Sequence, residues 1–335
     1  MNILSSINNH GFHNAITVAG AKIVVGTISW GGTTVGAFSG ALGTTNGIVA
    51  GTATTTGTTY NCYAFGKSNT SGSSTNNYVI NYTCNTATTI NIFCVGAGGA
   101  GSSNAGGGGG GGGSYGGGFN VSVGTGTITI SVGKGINSSN NSGIAGIQTT
   151  VVFAGTSGST SILSTGGGAG AQFGNAPVAP TTGSTGNNGC TGGAGITGGN
   201  GQGGSGIGNV AGSDSGRGGA GIQTTLDGVK DFQLGGSAVS TYYWCGGGAG
   251  TVNATSGGNG GTGGGGAGVV ISAGTLGTGG SGGLNAGGNN TSGTTSGVAG
   301  AGGDNTGGGG GGSWALSSTT HGAGGSGIVI IAFPQ

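Results

Sequence analysis

The sequence predicts an all-β protein, an antiparallel β-sandwich of jelly-roll type with almost no α-helix. Its glycine-rich loops are predicted to pack as polyglycine-II helices. Of the 335 residues 98 are glycine, and several glycine blocks repeat with a period of three. The apolar residues are gathered into short β-branched runs, as in strands. Period three is that of a polyproline-II-type helix, which has no internal hydrogen bonds. Because glycine loses much entropy on ordering, we expect such helices to pack side by side and pair their backbone groups.

The glycine blocks recur along most of the chain. They lie at residues 96–99, 106–113, 166–168, 192–206, 246–248, 257–268 and 307–312. Two blocks, starting at Gly192 and Gly257, place glycine at every third position over four or more triplets. One continuous helix through residues 257–268 would be ~37 Å long at ~3.1 Å per residue.

Alternating or continuous apolar runs predict the strands that bracket these blocks. Strands are predicted at residues 15–18, 22–30, 58–65, 78–82, 88–95, 119–123, 127–132, 149–153, 161–163 and 328–333. A turn at Thr125 and Gly126 is predicted to separate two of them, and the last strand has the continuous apolar run of a buried strand. Residues 1–77 are poorer in glycine and predict a small N-terminal β module or anchoring arm. Residues 78–335 then form the glycine-rich domain.

Composition excludes several classes of function. Only 3% of the residues are charged and the net charge is +1. Without clustered Lys and Arg the chain has no groove for nucleic acid and no electrostatic hold on a membrane. The apolar run at residues 328–333 is too short to cross a bilayer, and the N-terminus lacks the pattern of a secretory signal. Three prolines exclude collagen. We expect synthesis in a cytoplasm and no membrane insertion.

Cysteine spacing argues against a zinc or redox site. Five cysteines occur without a CxxC pair. We interpret them as mostly free, buried thiols, with one disulfide among Cys62, Cys84 and Cys94 as the alternative.

Catalytic and cofactor motifs are missing from the sequence. His10 and His13 have no acid or cysteine nearby to complete a metal site. Gly66-Lys67-Ser68 lacks the upstream glycine of a phosphate-binding loop. Acids are too few for a serine-histidine-aspartate set to be argued. The sequence therefore predicts no catalytic residue, no cofactor and no metal, and a protein that is not an enzyme.

Aromatic residues supply the candidate contact positions. The dense cluster is Thr241-Tyr242-Tyr243-Trp244, just before a glycine block. The predicted ligand or partner contacts are Tyr242, Tyr243, Trp244, Trp314 and Trp30. Exposed rings could stack on sugars or anchor a partner. The alternative is ordinary packing in a core for Trp30, and packing of a strand on the glycine bundle for the other four residues.

The order of strands and glycine blocks resembles a known family. The carrying segments are residues 88–99 (TTINIFCVGAGG), 114–117 (SYGG), 127–135 (TITISVGKG), 163–168 (LSTGGG) and 324–331 (GGSGIVII). They resemble the glycine-rich domain of bacteriophage tail fibres and of virion proteins from large DNA viruses, including algal giant viruses. A related arrangement occurs in the extracellular glycine-rich region of some receptor tyrosine kinases. The resemblance covers about residues 78–335 and leaves residues 1–77 outside.

This resemblance implies a viral structural protein located in the virion, as a fibre, surface or capsid-accessory component. A thin apolar core, with 32% hydrophobic residues, favours a homo-oligomer such as a trimer, or docking on other capsid or fibre proteins. A host surface glycan is the expected ligand of a fibre tip. The alternative is an ice-binding or cell-wall glycine-rich structural protein, because a flat polyglycine bundle can present rows of threonine.

Overall fold

The computed structural model describes fourteen stretches of the chain. They are residues 23–30, 33–34, 47–66, 75–84, 88–103, 107–113, 119–136, 143–155, 158–164, 216–251, 257–270, 275–291, 297–314 and 321–335. The predicted strand at residues 15–18 and the triplet glycine block at residues 192–206 lie outside them.

Twelve β-strands and one three-residue 3₁₀ turn form the regular structure of the described residues, which contain no α-helix. The strands are β1 (Ile23–Trp30), β2 (Thr33–Thr34), β3 (Ile48–Thr55), β4 (Thr58–Gly66), β5 (Thr75–Cys84), β6 (Thr88–Val95), β7 (Phe119–Gly133), β8 (Thr149–Gly155), β9 (Gly158–Ser164), β10 (Gln233–Leu234), β11 (Ser237–Ala238) and β12 (Ile328–Pro334). The all-β prediction is confirmed. The structure adds β3, a strand that the sequence pattern did not reveal.

The main sheet forks at β7 and so makes a sandwich. Its order is β2-β1-β5-β7-β6-β12-β4-β3, with β8 and β9 attached to β7. The first part of β7 pairs with β6 and its last part with β5, while β8 lies along the opposite edge. The branch through β5 therefore faces the branch through β6. Accordingly, the rings of Phe65 on β4 and Tyr78 on β5 lie 5.2 Å apart, although three strands separate them in the sheet order.

The predicted turn at Thr125 and Gly126 is wrong. Strand β7 runs through both residues, and its register against β8 shifts between Val123 and Ile128. The glycines at positions 124 and 126 let the strand bend from one branch of the fork to the other. A local turn signal and a bulge share the same residue types, so the pattern could not separate them.

Strand β12 lies between two apolar cores and is buried on both faces. Val329, Ile331 and Phe333 belong to the core between the two branches of the sheet. Alternate residues, Ile328 and Ile330 among them, belong to a second core on the outer side of the β6-β12-β4-β3 branch. Burial on both faces explains the continuous apolar run of this strand.

The described residues show which element contains the predicted boundary between residues 77 and 78. That boundary falls inside β5. Strands β3 and β4, which precede it, continue the sheet from β12 at the C-terminus. The change in glycine content near this position does not report strand pairing, and both parts contribute strands to one sheet.

The segment 224–245 covers the second core. Val229, Phe232 and Leu234 pack there against β3, β4 and β12. The hairpin β10–β11 turns through Gly235 and Gly236, which have φ of 62° and 89° and thus adopt the left-handed backbone of a type I′ turn.

Thr55 fastens this segment to the sheet, and its removal gives a testable prediction. The buried Oγ1 donates to the Asp231 carboxylate and accepts from the Gly228 N–H at 3.1 Å. Thr55→Val keeps the shape of the side chain but leaves the Asp231 carboxylate and the Gly228 N–H without this hydrogen-bond partner. We therefore expect a loss of about 1–3 kcal/mol in the free energy of unfolding, measured in urea. Thr54→Val, on the exposed neighbour, should change it by less than about 0.5 kcal/mol. Equal effects of the two changes would contradict this role of Thr55.

Candidate functional site

The glycine segments form a bundle whose centre is residues 307–313. Six extended segments surround this one: residues 96–103, 107–113, 246–251, 265–270, 297–303 and 321–327. Three N–H groups of the central segment donate to carbonyls of its neighbours: Gly309 to Gly246, Gly310 to Gly99 and Gly311 to Gly300. Three of its carbonyls accept from neighbouring N–H groups: Gly310 from Gly110, Gly309 from Gly266 and Gly308 from Gly325. These six N···O distances lie between 2.6 and 2.9 Å.

The six outer segments also bond to one another and close a hexagon. In order around the centre, the bonds are Gly248 N–H to Gly110, Ala249 N–H to Gly266, Gly300 N–H to Ala267, Gly302 N–H to Ala323, Gly98 N–H to Gly325 and Gly99 N–H to Gly111. Contacts to a given neighbour recur every third residue, since Gly309 and Gly312 donate to Gly246 and Ala249. A spacing of three residues is the repeat of a polyproline-II-type helix.

Packing in the hexagon explains where glycine is uninterrupted. The central segment has a neighbour in every direction, so a Cβ has no free space, and residues 307–312 are all glycine. Ring segments accept a Cβ at some positions, since the buried residues Ala97, Ala249 and Ala267 lie in them.

The predicted single helix through residues 257–268 is wrong. The chain reverses at Gly263 and Gly264, whose φ angles are 99° and 90°. The two halves then lie beside each other, and Gly268 donates to Gly258 at 3.0 Å. Glycine at every third position continues through the turn, so the sequence pattern hides the reversal.

Side chains close the turn that precedes the central segment. The Asn305 N–H donates to Ser326 Oγ at 2.8 Å, and Thr306 Oγ1 donates to the Gly303 carbonyl at 2.6 Å. Asn285 Nδ2 also donates to the Asp304 carbonyl at 2.6 Å. These bonds fix the bundle where it meets the sheet.

Trp244, a predicted contact residue, is fully buried and therefore presents no surface to a ligand. Its ring lies 5.2 Å from Phe93 of β6 and 6.0 Å from Tyr242, both edge to face. Its Nε1 has no hydrogen-bond partner in the part of the chain that the structure describes. The alternative interpretation, packing between sheet and bundle, applies to this residue.

The other predicted contact residues do not converge on one site. Tyr242 and Tyr243 are half-buried, and the Tyr242 hydroxyl donates to the Leu234 carbonyl at 2.7 Å. Trp314 is half-buried and follows the last residue of the central segment. It is therefore ~20 Å from the first residue of that segment, at ~3.1 Å per residue. Trp30 is the last residue of β1 and pairs with Tyr78 of β5, on the branch of the sheet that contains β5. Its side chain is not among those that the structure describes.

The described residues carry little chemistry. They contain no group of three or more His, Cys, Asp or Glu that could hold a metal ion. Lys230 and Asp227 form an exposed ion pair at 2.8 Å, as expected of a solvated loop. Over the same residues, no helix has the length and apolarity needed to span a bilayer.

Three thiols, those of Cys62, Cys94 and Cys245, are free and buried. The interpretation as free buried thiols is confirmed for them. A disulfide among Cys62, Cys84 and Cys94 is excluded, because two of the three are free.

Stability should fall at alkaline pH. Burial raises the pKa of the Cys62 thiol from 9.0 to about 12. Burial and the neighbouring Cys62 raise the pKa of Tyr63 from 10.0 to about 12. Above pH 9.0 the unfolded chain releases protons that the folded chain keeps, so the free energy of unfolding decreases until about pH 12. Urea titrations over this range should show the decrease, and Cys62→Ala should make it shallower. A flat profile would contradict the burial of both groups.

Neither protein-family models nor curated proteins nor solved structures gave a match to this chain.

Proposed function

We propose that this chain is a non-enzymatic structural protein of a virion, a fibre, surface or capsid-accessory component. The observation that carries the proposal is the closed hexagonal bundle of glycine segments, which continues directly from two strands of the sandwich. An uncharged, closely hydrogen-bonded bundle of this kind suits a structural role, because its order comes from backbone bonds that need no cofactor or catalytic group.

Two of the pieces of sequence that resemble viral glycine-rich domains, residues 88–99 and 324–331, lie next to each other. Strand β6 leads into residues 96–103, and residues 321–327 lead into β12. Strands β6 and β12 pair from Val95 opposite Ile328 to Asn91 opposite Ala332. Beyond them the two glycine segments pair as well, with Gly98 donating to Gly325 at 2.9 Å. These two pieces are distant in sequence but adjacent in the structure. Their adjacency supports the proposal more than their glycine content does.

Immunogold labelling of particles tests the proposal. Antibody raised against the folded chain would be applied to intact and to opened particles of the source virus. Labelling of intact particles at fibre tips or the outer surface is expected for a fibre or surface component. In that case a glycan array tests the half-buried Tyr242 and Tyr243 as ligand contacts. Labelling only after opening would place the chain inside as a capsid accessory, and no labelling in either state would overturn the proposal.

A second candidate, ice binding, is favoured by one specific surface. Residues 216–221, 257–261 and 275–281 lie side by side, with Gly218 donating to Asn259 and Gly260 donating to Thr278. The outermost of the three segments exposes Thr275, Thr278 and Ser281. A period of three spaces these hydroxyls by ~9 Å in a row. Regular rows of hydroxyls on a flat, uncharged face are what an ice-binding surface requires.

Thermal hysteresis of the purified chain tests this second candidate. We expect ice binding to give hysteresis that the double change Thr275→Lys and Thr278→Lys abolishes, because charged, mobile side chains disrupt the flat row. Thr225→Lys, an exposed change outside the three segments, serves as the control. Hysteresis absent from the unchanged protein would remove this candidate.

A further inference from the structure

Strand β3 presents an edge without a partner among the described residues. It is the last strand of the sheet order and pairs only with β4. Its eight residues, IVAGTATT, include neither a charge nor a proline. It pairs with β4 residue for residue from Ile48 opposite Phe65 to Thr55 opposite Thr58, without a register shift.

The backbone direction along β3 follows from one hydrogen bond. The Gly66 N–H donates to the Gly47 carbonyl at 2.8 Å, which makes these two opposite residues a hydrogen-bonded pair. Antiparallel pairs alternate between hydrogen-bonded and non-hydrogen-bonded. The odd-numbered residues of β3 therefore bond to β4. The even-numbered residues, Ile48, Ala50, Thr52 and Thr54, direct their N–H and C=O groups to the open edge.

From Gly51 onward the edge is accessible, whereas Ile48 at its start is buried, and the strand lacks the usual protection against pairing. Gly51, Thr52 and Thr54 are exposed. Proteins blunt open edges with charges, prolines, bulges or very short strands. At the other end of the sheet order, β2 has only two residues, and the register of β1 shifts between Val25 and Thr27. Strand β3 has none of these features.

We propose that β3 pairs with β3 of a second copy of the chain, antiparallel about a two-fold axis, so that the sheet continues across a dimer. A second copy is the occupant that the edge itself favours. An uncharged strand meets its own image without repulsion, and a two-fold axis normal to the sheet places Thr52 and Thr54 on the same face as their partners. Two-fold pairing of this kind uses the β3 edge of both copies, so neither β3 edge is left open. This contact alone produces a dimer rather than the trimer suggested by composition.

Sedimentation equilibrium of the full chain tests the dimer. Thr52 stands opposite Asn61 in a non-hydrogen-bonded pair, so its N–H is free for the second copy and is not used by β4. Thr52→Pro should raise the dimer Kd by about tenfold or more, because the substitution is present in both copies and so removes two hydrogen bonds across the two-fold axis. Thr52→Val keeps the N–H and the β-branched shape and should leave the Kd within about twofold. Thr52→Lys, which adds edge charge without changing the backbone, should weaken the dimer as Thr52→Pro does.

Amide hydrogen exchange supplies a readout that a folding defect would not imitate. With rising protein concentration, the amides of Ala50, Thr52 and Thr54 should become protected, while the amide of Gly51, bonded to β4, should be protected at all concentrations. A monomer at every concentration, or a dimer that Thr52→Pro and Thr52→Lys leave intact, would overturn the proposal. Either result would leave the virion assignment unaffected, because the particle-labelling experiment does not depend on a dimer.

Discussion

Gly310→Ala is expected to lower the free energy of unfolding by about 3 kcal/mol or more. Gly310 lies in the central segment, and a Cβ added there would overlap the carbonyl oxygen of Gly322. The atom in the way belongs to backbone that is itself bonded to the centre, since Gly322 donates to Gly311 at 2.8 Å. The ring cannot move away without breaking that bond, so one methyl group should disturb several segments at once. Urea unfolding followed by circular dichroism measures the change.

The matched control for this experiment is Gly26→Ala on β1. Gly26 is exposed, and the nearest atom to its added Cβ is the Asn81 carbonyl oxygen at 3.4 Å, an ordinary contact. We expect the control to change stability by less than about 0.5 kcal/mol. Gly260→Val extends the test to the outer bundle, where a Cβ would overlap the Gly265 carbonyl oxygen. If Gly310→Ala and Gly260→Val unfold with the midpoint of the unchanged protein, the packed bundle is wrong.

Trp244→Ala is expected to cost about 3–5 kcal/mol, the range for emptying a large buried aromatic site. Trp244 joins the two parts of the molecule, because it packs on Phe93 of the sheet and stands directly before the glycine segment 246–251. Loss of the ring should leave a cavity between the sheet and the bundle and so weaken the packing of each against the other. Denaturant unfolding with two probes, near-ultraviolet dichroism for aromatic packing and far-ultraviolet dichroism for strands, measures whether they still unfold together.

A second substitution at this position separates packing from hydrogen bonding. Trp244→Phe removes an Nε1 that has no partner among the described residues, so it should cost clearly less than Trp244→Ala. Trp314→Ala, at the half-buried position beyond the other end of the central segment, should cost less than Trp244→Ala as well. If Trp244→Ala left the free energy of unfolding unchanged, the ring would have to be accessible to solvent, and Trp244 would again be a candidate ligand contact.

Local periodicity located most of the strands but not their partners. The runs at residues 78–82, 88–95 and 328–333 lie within β5, β6 and β12, because alternation or continuous apolarity reports burial directly. Strand β3 was missed, since its alanines, glycine and threonines have too little apolar contrast. The candidate contacts were chosen by residue type, which does not distinguish a ring at the surface from the fully buried Trp244.

The sequence by itself determined the all-β class, the lack of α-helix in the part of the chain that the structure describes, and the near-zero charge. It also determined which segments are rich enough in glycine for their backbones to approach one another closely. These properties follow from side-chain size, branching and charge, which each residue carries wherever it lies. Tertiary structure alone decided the fork at β7, the reversal at Gly263 and Gly264, and the choice of residues 307–313 as the centre of the hexagon. The physical reason is that glycine segments are chemically alike. Any of them could pair with any other, and which ones meet is fixed by the strands at their ends, whose pairing joins residues more than two hundred positions apart.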